Sequence, residues 1–227
     1  MKAMILAAGL GTRMGALTAG QPKPLLEAGG ETLIEHQIRR LVAAQFTDLV
    51  INHAAHGLLL EQHLGDGRRY GANIVYSAEG GTPLGTGGGI VQALPLLGRE
   101  PFMVVNADVW TDFEFARLRR PPPGLAHLVL VSNPDHNAAG DFGLIGDRVA
   151  TNTRLRLTYS GIGCFRGELF EGCRAGPLAL APLLRAAAEQ GRVTGELYRG
   201  DWLDVGTPER LERLRRRLVP GTRDPAG

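Results

Sequence analysis

Apolar runs and apolar stripes alternate along the first half of the chain. Residues 4–8 form an unbroken apolar run closed by Gly9, the pattern of a strand buried on both faces. From Leu33 the apolar positions Leu33, Ile34, Ile38, Leu41 and Val42 recur at helical spacing, with Glu35, Arg39 and Arg40 off that face. Thr32 stands where an N-cap belongs, and Glu35 three residues later completes a capping box. Further strands are predicted at 49–51, 73–77 and 102–106, with helices at 57–64, closed by Gly65, and at 90–97. The order βαβαβαβ is that of a parallel sheet with helices on both faces. The rest is less regular. Strands are predicted at 125–131, 142–145 and 155–164, a helix at 178–189, and one or two short strands within 192–205. Pro208, after Thr207, opens a last helix that runs to about Leu218. Residues 121–123, three prolines, read as a turn, and residues 219–227 as a flexible tail. The expectation is one α/β domain over 1–218 with a mostly parallel, doubly wound, Rossmann-like sheet.

Composition narrows the class without choosing a function. With 227 residues and 44% apolar content the chain can build a sizeable core. No window holds 18 consecutive apolar residues, so no membrane-spanning helix is expected. A net charge of +2 gives no footprint for nucleic acid. Cys164 and Cys173 neither staple a chain this long nor make a zinc site, and two lone thiols suit a reducing, cytoplasmic compartment. Of the 25 basic residues only Lys2 and Lys23 are lysine, and Lys23 lies between two prolines.

The chemistry-bearing stretch is Leu6-Ala7-Ala8-Gly9-Leu10-Gly11-Thr12-Arg13-Met14, followed by Pro22-Lys23-Pro24-Leu25. A strand feeding a glycine-rich loop lets backbone N–H groups approach a phosphate, and Arg13 and Lys23 add two positive charges. The dinucleotide fingerprint begins with Gly9 and Gly11 but has Met14 where its third glycine belongs, and the Walker pattern fails because Ala16 follows Gly15. An apolar strand delivers Asn106 and then Asp108 at its carboxyl end, where open α/β sheets bind ligands. Trp202-Leu203-Asp204-Val205-Gly206-Thr207 repeats the arrangement, with Thr207 as helix cap and Asp204 left free. Two carboxylates converging near a phosphate loop suit Mg²⁺.

In combination these segments resemble the sugar-1-phosphate nucleotidyltransferases, in order and over nearly the whole chain. Within that superfamily the chain is similar to the N-acetylmuramate 1-phosphate uridylyltransferases of bacterial cell-wall recycling, on Gly65-Asp66-Gly67, Thr86-Gly87-Gly88-Gly89-Ile90, residues 93–97, 106–112 and 124–131, Leu169-Phe170-Glu171-Gly172-Cys173 and Tyr198-Arg199-Gly200. The resemblance implies a GT-A-like sheet, with a nucleotide-binding half over 1–110 and a smaller sugar-binding half over 111–218. It implies a sugar 1-phosphate attacking the α-phosphate of UTP with loss of pyrophosphate. Asp108 and Asp204 would hold Mg²⁺, Arg13 would neutralise the leaving group, and Lys23 would hold the reacting phosphates. The nucleotide would lie along Leu6, Ala7, Ala8, Gly9, Gly11 and Thr12, against Gly87 and Gly88 and beside Asn106. Asp141, Gly143, Ser160 and Gly161 would meet the sugar, and Arg199 the lactyl carboxylate of N-acetylmuramate.

Three positions depart from the pattern. Gly15-Ala16 replaces a bulkier residue and proline, Ala107 replaces a glycine, and Leu84-Gly85-Thr86 replaces Leu-Glu-Thr. Leu-Gly-Thr also occurs in guanylyltransferases for mannose or heptose phosphates, with Glu79 as a candidate reader of guanine. Three other residue groups are weighed as well. Trp110 is a stacking surface or a packing residue, His53, His56 and His63 make no metal site, and the basic run at 213–218 is the solvated end of a helix. A non-catalytic nucleotide-sugar sensor would be expected to lack Arg13, Lys23, Asp108 or Asp204, and a glycosyltransferase would be expected to carry Asp-x-Asp.

Overall fold

The computed structural model describes Met1–Val219, so the predicted tail lies outside the described residues from 220 onward. In chain order the first half carries β1 (Ala3–Leu6), a short hairpin of β2 (Glu27–Ala28) and β3 (Glu31–Thr32), α1 (Leu33–Ala43), β4 (Asp48–His53), α2 (Gly57–Leu64), β5 (Asn73–Ala78), α3 (Gly85–Leu97), β6 (Phe102–Asn106) and β7 (Val109–Thr111). The second half adds β8 (Ala126–Val131), β9 (Gly143–Ile145), β10 (Arg148–Ala150), β11 (Thr158–Phe165), α4 (Leu180–Glu189), β12 (Val193–Leu197), β13 (Trp202–Asp204) and α5 (Pro208–Leu218).

Nine strands make one sheet in the order β5-β4-β1-β6-β11-β8-β12-β10-β9. All run one way except β11 and β10. The doubly wound expectation follows from the pleat. Ala3 and Ile5 face one core with Ile34, Ile38, Leu41, Leu60 and Leu64 of α1 and α2. Met4, between them, faces the other core with Ile90, Leu97, Leu180 and Leu184 of α3 and α4. A third, smaller cluster joins Met14, Leu26, Leu33, Leu203, Val205, Leu211 and Leu214. No helix among the described residues is long and apolar enough to cross a membrane.

The predicted capping box is formed. Thr32 Oγ1 accepts from Glu35 N–H, and the Glu35 carboxylate accepts from Thr32 N–H. Two boundaries move by three residues or more. The helix expected at 90 begins at Gly85, and the strand expected from 155 begins at Thr158. The short pair β7 and β13 forms a separate antiparallel ribbon, and this ribbon builds the site.

Candidate functional site

The loop after β1 is shaped by two glycines with positive φ and one anchor. Gly11 has φ +64 and opens two 3₁₀ turns within Thr12–Thr18 that meet at a kink at Gly15, φ +57, with Met14 N–H donating to Gly11 O at 2.8 Å. Met14 is buried in the third cluster, which pins the loop while leaving Arg13 exposed. Lys23 opens a second 3₁₀ turn between Pro22 and Pro24, and its ammonium forms an ion pair with Asp108. The side chains are 11% and 23% exposed.

The ribbon brings the second carboxylate to the first. Asp204 stands opposite Val109, and Val205 N–H donates to Asp108 O at 2.8 Å. Gln37 of α1 holds the ribbon down by donating to Val109 O. Asp204 Oδ2 accepts from Arg210 Nη1 at 2.8 Å and lies 3.1 Å from His136 Nε2. Arg210 sits in the first turn of α5, whose cap is Thr207 as predicted. Asp204 Oδ1 is buried and has no hydrogen-bond partner among the described residues. A Cβ at Gly206 would lie 3.0 Å from Asp204 Oδ1, 3.1 Å from Arg13 Nη2 and 2.6 Å from Arg210 Nη2, so three charged groups converge over this one glycine.

Three adjoining recesses meet at Asn106. One of 340 Å³ is lined by Arg13, Asp108, His136, Asp141, Ser160 and Asp204. A second of 740 Å³ is mainly apolar, with Pro83, Phe142, Tyr159, Leu178 and Leu184 beside Thr86 and Asp141. A third of 200 Å³ lies over the end of β1, between Leu6, Ala8, Gly9, Glu79 and Thr86. Asn106 lines all three. Its position depends on a bulge in β11, where Gly161 has φ +79 and a Cβ would stand 2.5 Å from Asn106 Nδ2. Trp202 Nε1–H donates to Ser160 O at 3.0 Å, tying the bulge to the ribbon. Asp141 Oδ2 accepts from Tyr159 N–H at 2.8 Å and from Asn137 Nδ2 at 3.1 Å.

Arg13, Lys23, Asp108 and Asp204 are therefore brought together, with Asn106, Asp141 and Ser160 around them. Leu6, Ala8, Gly9 and Glu79 are gathered in the smallest recess, and Ala7 is buried beneath, its N–H on Asn52 Oδ1. Other predicted residues lie apart. Gly11 shapes the loop, and Thr12 is exposed; neither lines a recess. Gly87 and Gly88 are buried against the 176–179 segment, and Gly88 N–H donates to Leu178 O at 3.0 Å. Gly143 packs on the Thr153 side chain. Arg199 is exposed beyond the Trp202 end of the ribbon and lines no recess. Trp110 packs on the third cluster, with the Arg40 guanidinium 5.5 Å from its ring. His53 and His63 pair with Glu61 and Glu35, and the described residues hold no cluster of three or more metal-ligating side chains. Sequence reasoning missed His136, Arg210, Asn52, Tyr159 and the Pro177–Leu178 wall. Only Arg210 left a signal, as the first-turn residue behind the Thr207 cap.

A Gly-rich loop bearing two cations, with carboxylates at two strand ends beside it, is the equipment of phosphoryl-group chemistry. A model of the nucleotidyl transferase family matches residues 2–153, and the chain belongs to that family, within the sugar-1-phosphate nucleotidyltransferase superfamily. Among its relatives, the N-acetylmuramate alpha-1-phosphate uridylyltransferase of Neisseria meningitidis is 52% identical over 221 residues, covering 93% of this chain and 96% of its own. The enzyme of the same name from Caulobacter vibrioides is 36% identical over 223 residues, covering 91% and 92%. A solved Bacillus anthracis chain that carries the name of a glucose-1-phosphate thymidylyltransferase, in complex with sucrose, matches with a TM-score of 0.80. It is 20% identical, over 95% of this chain and 94% of its own, and shows the shared fold.

Proposed function

We propose that the protein transfers the uridylyl group of UTP to N-acetylmuramate α-1-phosphate with Mg²⁺, giving UDP-N-acetylmuramate and pyrophosphate for peptidoglycan recycling in the cytoplasm. The carrying observation is the meeting of Arg13, Asp108 and Asp204 at one recess beside a glycine-rich loop, with Lys23 paired to Asp108. The choice of base and sugar is supported by the names of two relatives that match over most of both chains. We assign the sheet to the GT-A-like type, on the mixed sheet and the carboxylates at strand ends.

The attacking phosphate monoester is already an anion, so no general base is required. Lys23 and Arg13 hold anionic oxygens, on a loop anchored by the burial of Met14. Asp108 and Asp204 fit Mg²⁺. Asp204 Oδ1 is a buried carboxylate oxygen without a hydrogen-bond partner among the described residues, and a two-carboxylate set leaves the other positions to phosphate and water oxygens. When bound, Mg²⁺ supplies positive charge to the phosphate at which negative charge develops. Lys23 and Arg210 pair with the two carboxylates. The apolar recess next to Asp141 and Asn106 takes the sugar and keeps water from its face.

Leu84-Gly85-Thr86 favours a second reading in which GTP and a mannose or heptose phosphate are the substrates of the same reaction. Pyrophosphate release with each triphosphate and each sugar phosphate separates the two, with Asp108→Ala as control. Release that requires UTP and N-acetylmuramate 1-phosphate, and is lost in the variant, is expected. Preference for GTP overturns the muramate assignment, and silence with every pair favours a non-catalytic nucleotide-sugar sensor.

A further inference from the structure

The floor of the smallest recess is a line of three hydrogen bonds. The β1–β4 ladder ends with Leu6 opposite Asn52. One residue on, Ala7 N–H donates to Asn52 Oδ1 at 2.8 Å. Asn52 Nδ2 donates to Glu79 Oε1 at 2.5 Å, and Glu79 Oε2 accepts from Leu84 N–H at 2.7 Å. Asn52 is only 2% exposed, and both Asn52 and Glu79 line the recess. Gly89 makes room for the pair, because a Cβ there would overlap the Glu79 carboxylate and lie 2.6 Å from Asn52 Nδ2.

This line begins and ends on a backbone donor, which fixes its polarity. An amide both donates and accepts, whereas a carboxylate only accepts. A two-residue bridge between two donors therefore needs one amide and one carboxylate. Two amides leave a donor facing a donor, and two carboxylates face each other without a proton. Both Glu79 oxygens are engaged from within the protein, one by each side of the recess.

We propose that Glu79 is a positioning residue and not a reader of the base. Through Asn52 it sets the Ala7–Gly9 turn, and through Leu84 it sets the 80–84 loop, so that the spacing between these two walls selects the nucleotide. This rests on the recess being the nucleotide site of the function proposed above. It removes Glu79 as a reader of guanine and leaves Leu84-Gly85-Thr86 as the feature that favours GTP.

The polarity argument gives a swap test on the full chain, with Asn52→Asp, Glu79→Gln and the double substitution. In the double, the carboxylate at position 52 accepts from Ala7 N–H and from the amide at position 79, whose carbonyl accepts from Leu84 N–H. Melting midpoints and UTP and GTP affinities are measured by calorimetry, with kcat and KM alongside. Each single substitution leaves a buried group mismatched, so UTP affinity is expected to fall about tenfold or more, with KM moving more than kcat. The double is expected to recover most of the melting midpoint and to bind UTP within about threefold of the parent. A double no better than the worse single overturns the proposal. So does a Glu79→Gln variant that keeps full UTP affinity and loses only GTP binding. A parent protein that binds neither nucleotide overturns the proposed function instead, and recovery of the melting midpoint, which needs no ligand, then decides whether the bridge has the stated polarity.

Discussion

Lys23 and Asp108 act as one unit, because each neutralises the other in a partly shielded place. Removing either leaves the other's charge uncompensated and the phosphate grip incomplete. Lys23→Ala and Asp108→Ala are each expected to lower turnover on the order of 10²–10³. The double variant should fall far less than the product of the two, as groups acting together do. Pyrophosphate release at saturating substrate gives both comparisons. A second prediction concerns Glu35. Burial pushes its carboxyl up, but hydrogen bonds from Tyr70 and from Thr32 backbone and side chain, with the charge of His63, outweigh this and bring it from 4.5 down to about 2. A depressed carboxyl stabilises the fold fully above its unfolded value and loses that contribution as pH falls through the folded one. The gap in melting midpoint between the parent and Glu35→Gln should therefore hold at neutral pH and close between about 4.5 and about 2. At this scale the sequence shows residues whose local setting is unusual. Lys23 stands between prolines and Asp108 ends an apolar run. His136 and Asn52 are ordinary in their local setting and acquire meaning only from distant partners, Asp204 and Glu79.

Elements with a strong period or a cap were readable, and those with neither were not. The Thr32–Glu35 box marks the start of α1, and Thr32→Ala is expected to cost about 1 kcal/mol by chemical denaturation. The first turn of α3 was hidden because Gly85, Gly87, Gly88 and Gly89 oppose helix by propensity. They are there for packing. Cβ atoms at 87 and 88 would press on the backbone of 176–179, and one at 89 would strike the Asn52–Glu79 bridge. β2, β3, β7 and β10, of two or three residues each, are too short to show an alternating pattern, and the ribbon that aligns Asp204 is among them. The Gly161 bulge was equally silent, since the side chain that its missing Cβ makes room for, Asn106, comes from across the sheet.

Across the whole molecule, the parallel half followed from strand–helix alternation, but the insertion of β11 between β6 and β8 did not. That pairing joins segments far apart in sequence and is chosen by the fit of β11 to two neighbours. It also bears on the family match at residues 2–153, which ends before β11 begins. A fragment ending at 153 would leave the facing edges of β6 and β8 unpaired and strip α4 from one core. Such a fragment is expected to show no cooperative thermal transition by circular dichroism and to aggregate, where the parent melts as a unit.

The third cluster sets an order in time. Met14, beneath the phosphate loop, packs with Leu203, Val205, Leu211 and Leu214, from the ribbon and α5. Ribosomes extend a chain at roughly 5–20 residues per second, N-terminus first. The loop carrying Arg13 and Lys23 therefore emerges roughly 10–40 s before the ribbon and α5 residues that complete its seat. A nascent chain can hold Lys23 and Asp108 but not Asp204, and its loop rests on Leu26 and Leu33 alone until Leu203, Val205 and α5 complete the cluster. The site is thus finished by the last helix described, and an interrupted translation product carries the cations without the geometry that makes them useful.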